Sequence, residues 1–444
     1  MAKNDRVGLV SLGCPKNRVD SEIMLGLLQA DGYQLTDNPA EAECLIINTC
    51  GFIGDAKKES IDTILEYANY KTEGNCRALI VTGCLAQRYN EELATEIPEI
   101  DALVGTGTFP AITQIVREAL TGSRAMYVGS PELPRTDNLP RLLSTPPYTA
   151  YLKIAEGCGH NCSFCVIPRL RGRLRSRTRE AIFSEAAQLA ARGVKELILI
   201  AQDTTQYGID IYGRPALAEL LAELAVIEGL VWIRLLYTYP ANFTDELIAV
   251  IKREPKICRY LDLPLQHISD RVLRKMNRRG GKQEISELIE KIRREIPEVA
   301  LRSSFIVGFP GETKEEFAEL LSFLRDSRFE RVGVFPYSRE EGTPAAAIAG
   351  QVAEKEKKWR YRRAMTVQQE ISRSLNEALV GQTMTILVEG ETGRSDYSFY
   401  GRTYRDAPQI DGIAYLAGTG LQPGTFIRTV ITGADTYDLY GRPI

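Results

Sequence analysis

Histidine is almost missing from this chain. His160 and His267 are the only two in 444 residues, which leaves little room for a centre built on imidazoles. Long apolar runs are missing as well. None reaches the roughly 20 residues of a membrane-spanning helix, although 44% of the residues are hydrophobic. The opening Met1-Ala2-Lys3-Asn4-Asp5-Arg6 leads straight into a strand-like segment without a leader pattern. A cytoplasmic protein with no membrane partner is expected. Neither sign of charge is in excess: 55 Lys and Arg stand against 58 Asp and Glu, a net charge of −3. No global attraction to nucleic acid follows. Nor is there a disulfide framework. Nine cysteines is an odd count, and they gather at strand ends and in one loop, which suits metal ligation in a reducing compartment.

That loop is Glu156-Gly157-Cys158-Gly159-His160-Asn161-Cys162-Ser163-Phe164-Cys165. Three thiolates can hold three irons of a four-iron cluster and leave the fourth free for another ligand. A fully ligated cluster takes four cysteines, and the next in sequence is Cys258. Zinc and a disulfide are the rival readings. Zinc sites usually come as paired Cys-x-x-Cys or Cys/His sets, and His160 stands at the wrong spacing for these.

Toward the amino terminus, buried-strand runs end at Gly13-Cys14, Cys50-Gly51 and Gly83-Cys84. Helical patterns between them, such as residues 17–31, argue a parallel α/β sheet with four strands. The carboxyl ends of parallel strands share one edge, where ligands bind. Cys14, Cys50 and Cys84 therefore converge into a second candidate trio, against the plain alternative of three thiols filling small core sites. Cys44, Cys76 and Cys258 lack this placement and read as structural.

Prolines 131, 134, 140, 146 and 147 keep residues 130–147 extended. The expected division is a first domain at 1–125, a linker at 126–147, a central domain at 148–375 and a last domain at 376–444. The central domain repeats strand and helix six times, with strands near 150–155, 196–201, 231–237, 260–265, 301–307 and 331–335. Six repeats predict an open, partial (β/α)6 barrel. Groups at its carboxyl ends are Gln202-Asp203, Gln266-His267 and the turn Gly308-Phe309-Pro310-Gly311-Glu312-Thr313, which lets backbone approach a ligand. Arginines alternate from Arg169 to Arg179, either as an edge strand or to grip carboxylates. The last domain shows four short, glycine-punctuated strands, a small antiparallel barrel of the oligonucleotide-binding type. After Gly381, seven acidic against five basic residues favour a basic protein target over RNA.

At Cys158-x-x-x-Cys162-x-x-Cys165 the sequence resembles radical S-adenosylmethionine enzymes. With Cys14, Cys50, Cys84 and the terminal barrel it is similar over its whole length to methylthiotransferases. Ser11-Leu12-Gly13-Cys14-Pro15-Lys16-Asn17 and Tyr260-Leu261-Asp262-Leu263-Pro264-Leu265-Gln266-His267 resemble the branch that modifies an aspartate of small-subunit ribosomal protein S-twelve. The resemblance implies an N-terminal cluster domain, a radical barrel and a C-terminal TRAM domain. It implies two 4Fe-4S clusters, on Cys158/Cys162/Cys165 and on Cys14/Cys50/Cys84, with S-adenosylmethionine as co-substrate. One cluster would generate a 5′-deoxyadenosyl radical that takes hydrogen from the aspartate β-carbon. The other would present a sulfur that a separate S-adenosylmethionine methylates. Gln202, Asp203, Gln266, Gly308 and Gly311 are then candidates for S-adenosylmethionine contacts, and Arg175 or Arg177 for the substrate carboxylate. An electron donor such as flavodoxin or ferredoxin and a sulfur donor are implied partners. A tRNA adenosine methylthiotransferase and a non-enzymatic iron–sulfur RNA-binding or sensor protein are the alternatives.

Overall fold

The computed structural model describes residues 5–132 and 137–444; Pro134 of the expected linker lies outside them. The first sheet has six parallel strands: β1 (Arg6–Ser11), β2 (Gln34–Leu35), β3 (Cys44–Thr49), β4 (Ala78–Gly83), β5 (Ala102–Val104) and β6 (Ala125–Tyr127). They lie in the order β2-β1-β3-β4-β5-β6. β3 and β4 are buried along their whole length, because helices cover both faces of the sheet, and this gives them the continuous apolar runs Cys44–Ile47 and Ala78–Val81. β2 and β6 have only two and three residues, too few for any periodicity, and they add to the four strands expected. β6 carries the first sheet past residue 125. Helix α1 (Pro15–Ala30) starts with a proline, whose missing N–H costs nothing in a first turn. With the helix Ile112–Leu120 it packs on one face through Met24, Leu28 and Ile115.

The central domain holds β7 (Thr149–Lys153), β10 (Glu196–Ile200), β11 (Trp232–Leu235), β12 (Ile257–Asp262), β13 (Ala300–Val307) and β14 (Arg331–Pro336), with a short ribbon of β8 (Ala155–Glu156) and β9 (Arg175–Ser176). The six long strands are parallel in the order β14-β13-β12-β11-β10-β7, an open partial barrel. Alternation along the strands sorts the side chains. Leu197, Leu199, Ile233 and Leu261 join the core beneath the helices. Ile198, Ile200, Trp232 and Tyr260 face the other way, into a core shared with α1 and with Leu387 and Ala407 of the last domain. β12 lies three residues earlier than the run 260–265. Leu263 and Leu265 are buried beyond the strand end, so an apolar run extends past the ladder that it serves.

The last domain is a closed barrel of β15 (Thr383–Glu391), β16 (Phe399–Thr403), β17 (Ala414–Leu416), β18 (Phe426–Ala434) and β19 (Leu439–Pro443). Its pairings are antiparallel except that β17 meets β19 in parallel. β19 is a fifth strand beyond the four expected.

These domains meet the central barrel at opposite ends. Glu196, first residue of β10, pairs with Arg402 at 2.5 Å, and Arg331, first residue of β14, pairs with Asp406 at 2.6 Å. The terminal domain thus sits at the amino ends of the strands. Lys153, last residue of β7, pairs with Asp20 of α1 at 2.5 Å, and Lys57 and Arg88 hold Glu340, just past β14. The cysteine-bearing edge of the first sheet is thereby placed over the carboxyl ends of the barrel strands, where ligands bind.

One glycine shows how tightly that edge is set. Gly83, just before Cys84, has φ 95°, and a Cβ there would lie 2.6 Å from the Thr49 carbonyl oxygen. Gly83→Ala is expected to cost about 1–2 kcal/mol for the left-handed backbone alone. Urea denaturation should show a lower midpoint, and iron uptake should fall because Cys84 moves. An unchanged midpoint would contradict this reading.

Candidate active site

Cys14, Cys50 and Cys84 come together at the carboxyl ends of β1, β3 and β4. A Cβ on Gly13 would lie 2.8 Å from Cys50 Cβ, and one on Gly51 would lie 2.9 Å from the Cys84 carbonyl carbon. All nine cysteines are free thiols. Cys84 packs against Val166 and Leu170 in a small apolar cluster with Phe52. Val166 directly follows Cys165, so the two trios are near neighbours across the domain boundary.

Each sulfur of the second trio receives one donor. His160 N–H points to Cys158 Sγ at 3.4 Å, Ile167 N–H to Cys165 Sγ at 3.5 Å and the Arg278 guanidinium to Cys162 Sγ at 3.9 Å. Such donors stabilise thiolate ligands and tune a bound cluster. Burial pushes the Cys50 thiol up to about 12, Cys158 to about 11 and Cys165 to about 12, and it also raises Cys84 and Cys162. As bare thiols these five are neutral at pH 7, and metal must displace their protons on binding. A single zinc ion needs donors about 2.0–2.3 Å from one point. Among the described residues no three Cys, His, Asp or Glu side chains are so assembled. The trio of Cys158, Cys162 and Cys165, with a donor aimed at each sulfur, fits a multi-iron cluster instead, and Cys14, Cys50 and Cys84 form a second open trio beside it.

Around the trios, charge is buried and matched. Arg171 reaches Asp20 at 2.5 Å and Glu156 at 3.4 Å, and Lys153 lies 2.5 Å from Asp20 and 2.7 Å from Glu156. Arg171 also donates to Asn17, whose Nδ2 holds the Leu12 and Thr49 carbonyls beside Cys14 and Cys50. Burial raises the Glu156 carboxyl, but Lys153 and Arg171 outweigh it and hold the group well below the usual carboxylate range. His160 is stacked on Tyr239 with ring centroids 3.9 Å apart, and its Nε2 lies 2.7 Å from Asp203 and against Gln206. The Arg278 guanidinium covers Tyr239 at 4.3 Å. A cavity of about 710 Å³ beside Cys158 and His160 is bounded by Glu132, Arg173 and Asp210.

The remaining candidates divide. Gln202 Nε2 donates to Glu156 at 2.6 Å, and its Oε1 is buried with no partner among the described residues, an acceptor left over for a ligand. Gln266 is half-buried at the same end, with φ 71°. Asp203 is turned to His160, Thr205 and Asn242, so it orients the cluster loop. The Gly308–Thr313 turn has φ 73° at Gly308 and 76° at Gly311, but the Glu312 carboxylate takes the Gly308 and Phe309 amides and Gly350 O takes that of Gly311. Its backbone is therefore satisfied from within. His267 is wholly buried and accepts from Ser269 N–H at 3.0 Å, a local structural role.

Arg177 is engaged within the chain. Asp137 and Glu185 each hold it at 2.6 Å, and Lys153 O takes another N–H. Arg175 donates to the Arg173, Pro131 and Arg171 carbonyls. The arginine series does grip carboxylates, but those of this chain, because the loop is folded back against α1 and the linker. The sequence marks Arg171 only as one of an alternating series, and it does not single out Asn17 or Arg278. Asn17 at least stands in the segment around Cys14, whereas Arg278 carries no local signal.

Comparison with known proteins agrees with this geometry. Residues 6–105 match uncharacterized protein family UPF0004, 152–324 the radical SAM superfamily and 380–444 the TRAM domain. Among solved structures, the radical S-adenosylmethionine methyltransferase TsrM from Kitasatospora setae, with cobalamin and a 4Fe-4S cluster bound, superposes with TM-score 0.57 at 15% identity. That match covers 78% of this chain and 77% of that one. At this identity the likeness is one of fold. The chain is a radical S-adenosylmethionine enzyme flanked by a UPF0004 domain and a TRAM domain. A relative from Pelotomaculum thermopropionicum, ribosomal protein uS12 methylthiotransferase RimO, is 56% identical over 99% of both chains. The protein of the same name from Geobacter sulfurreducens is 52% identical over 99% of both. The chain belongs to the RimO family of methylthiotransferases.

Proposed function

We propose that this enzyme adds a methylthio group to the β-carbon of an aspartate in ribosomal protein uS12, in a cytoplasmic setting. The observation that supports it most is the pairing of two open cysteine trios at one barrel mouth, in a chain half identical to uS12 methylthiotransferases along its full length. Cys158, Cys162 and Cys165 would hold one 4Fe-4S cluster, and Cys14, Cys50 and Cys84 the other. With S-adenosylmethionine these groups supply one-electron cleavage of a sulfonium and a sulfur to transfer. The protein's share is placement and shielding. Arg278 and the two loop amides neutralise charge on Cys158, Cys162 and Cys165. Asp203 and Gln206 fix His160, and His160 and Arg278 together cover Tyr239. Gln202, Gln266 and the Gly308–Gly311 turn line the end where S-adenosylmethionine binds, with Gln202 Oε1 free to accept from its amino group. An unactivated β-carbon hydrogen is beyond the reach of any side-chain base here, which is why radical chemistry is needed. Flavodoxin or ferredoxin would deliver electrons, and a separate donor would replace the sulfur.

An RNA target has one feature in its favour. Tyr415 and Tyr440 stack with centroids 5.4 Å apart, Tyr397 leans on both, and Arg394 lies 4.6 Å over Tyr415. Aromatic platforms of this kind stack bases. The reconstituted full chain should therefore be given uS12 and tRNA separately, with electron donor and S-adenosylmethionine. One methylthio group on uS12 and none on tRNA is the expected result. Modification of tRNA alone overturns the proposal.

A further inference from the structure

Lys16 is 8% exposed, and no carboxylate of the described residues pairs with it. Every other buried lysine or arginine among the described residues has one, including Lys153, Arg171, Arg234, Arg331 and Arg402. The Lys16 ammonium lies over the ring of Tyr237, 3.3 Å from its centroid. That contact offsets part of the desolvation cost of a buried cation; a matched anion would offset more.

Its position is specific. Lys16 is two residues from Cys14, in the first turn of the sixteen-residue helix α1. A lysine is disfavoured there, because that end of a helix carries partial positive charge. The same end favours a bound anion. Tyr237 lies just past the carboxyl end of β11 and has φ 60°, a strained conformation for a bulky residue. Its N–H donates to Asp262 at 2.9 Å and its carbonyl accepts from Thr204 N–H at 2.9 Å, so the ring is pinned beneath the ammonium. A buried cation without an anion, next to a cluster ligand and over the barrel mouth, is a receptor for a carboxylate that arrives with a ligand.

We propose that Lys16 binds the side-chain carboxylate of the substrate aspartate; the inference rests on the function proposed above. Held there, the carboxylate places its adjoining β-carbon on the Cys14 side of the chamber, where the sulfur must be received. It also gives the site a way to reject asparagine, since an amide leaves the ammonium without its counter-charge.

The test uses the reconstituted full-length enzyme and two forms of uS12, one with the target aspartate and one with Asp→Asn at that position. Wild-type enzyme should bind the aspartate form about tenfold or more tightly, as a charge-assisted bond predicts. Lys16→Met should bind both forms equally, with iron content and S-adenosylmethionine affinity unchanged. Lys16→Arg should keep much of the preference. A Lys16→Met enzyme that still prefers aspartate overturns the proposal. So does a wild-type enzyme with no preference, a result that needs no enzyme variant to fold. Weaker S-adenosylmethionine binding by Lys16→Met at an unchanged aspartate preference would assign Lys16 to the methionyl carboxylate and also overturn it. Failure of wild-type enzyme to bind or modify uS12 at all would instead sink the proposed function.

Discussion

Alanine at Cys14, Cys50 and Cys84 together is expected to lower the iron of the anaerobically reconstituted protein from about eight atoms per chain to about four. Methylthio transfer to uS12 should be lost outright, while reductive formation of 5′-deoxyadenosine survives. The separation follows from the architecture. The two trios belong to different domains, each with its own sheet and strand ends, and they meet through the side chains around Cys84, Val166 and Leu170 and through Arg171, which reaches Asn17 and Asp20. The donors to Cys158, Cys162 and Cys165 come from His160, Ile167 and Arg278, all in the central domain. Removing three thiols from the first sheet leaves that set intact. The same substitution at Cys158, Cys162 and Cys165 should abolish both products. Iron and acid-labile sulfide analysis with product chromatography reads all of this. Eight irons in the Cys14/Cys50/Cys84 variant would mean that no cluster sits there.

The parts that local sequence reveals are those with a local cause. β3 and β4 are sandwiched between helices, so their four-residue apolar runs Cys44–Ile47 and Ala78–Val81 are readable, and the cysteines after them follow from strand polarity. The helices Asp245–Arg253 and Lys282–Glu295 carry their 3.6-residue periodicity in the open. What stayed hidden is long-range. Arg171 reads as one of an alternating series, but its partner Asp20 is 151 residues away. Arg177 reads as free because neither Asp137 nor Glu185 marks itself in the sequence as a partner. Asp203 follows a strand as a ligand-binding residue would, yet what fixes its role is the position of His160, 43 residues earlier. Lys16 is similar: the segment around Cys14 carries the family resemblance, but nothing in it says that the lysine lacks an anion. That is a property of every other chain segment around it.

Glu196→Gln should be the most damaging single change to stability. Glu196 and Arg234 are wholly buried and Arg402 is 1% exposed. The carboxylate answers both guanidiniums where the TRAM barrel meets the amino ends of the central strands. Taking one partner from a buried set costs about 3–5 kcal/mol, because the charges left behind cannot be rehydrated. Arg402 keeps Glu389 at 2.9 Å, whereas Arg234 keeps the Tyr404 and Thr403 carbonyls and the ring faces of Trp232 and Tyr260, but no carboxylate among the described residues. Loss should therefore show first at the interface, as faster hydrogen exchange or proteolysis around 380–444, together with a lower urea midpoint. Replacing Glu196, Arg234 and Arg402 together by leucine and two methionines should recover much of it, since an apolar set carries no desolvation cost. The pH dependence has a definite sign. Burial raises the Glu196 carboxyl, but Arg402 and Arg234 outweigh it and bring the group to about 2. A depressed carboxylate contributes stability that is fully present above its unfolded value and is lost as pH falls from there through about 2. Over that window wild type should lose about 3 kcal/mol from this group. Burial raises the Glu389 carboxyl, which offsets part of the loss. The Glu196→Gln variant has no such group and should lose less between pH 5 and pH 2. Parallel acid profiles for the two proteins would show that Glu196 is not what fastens the TRAM barrel.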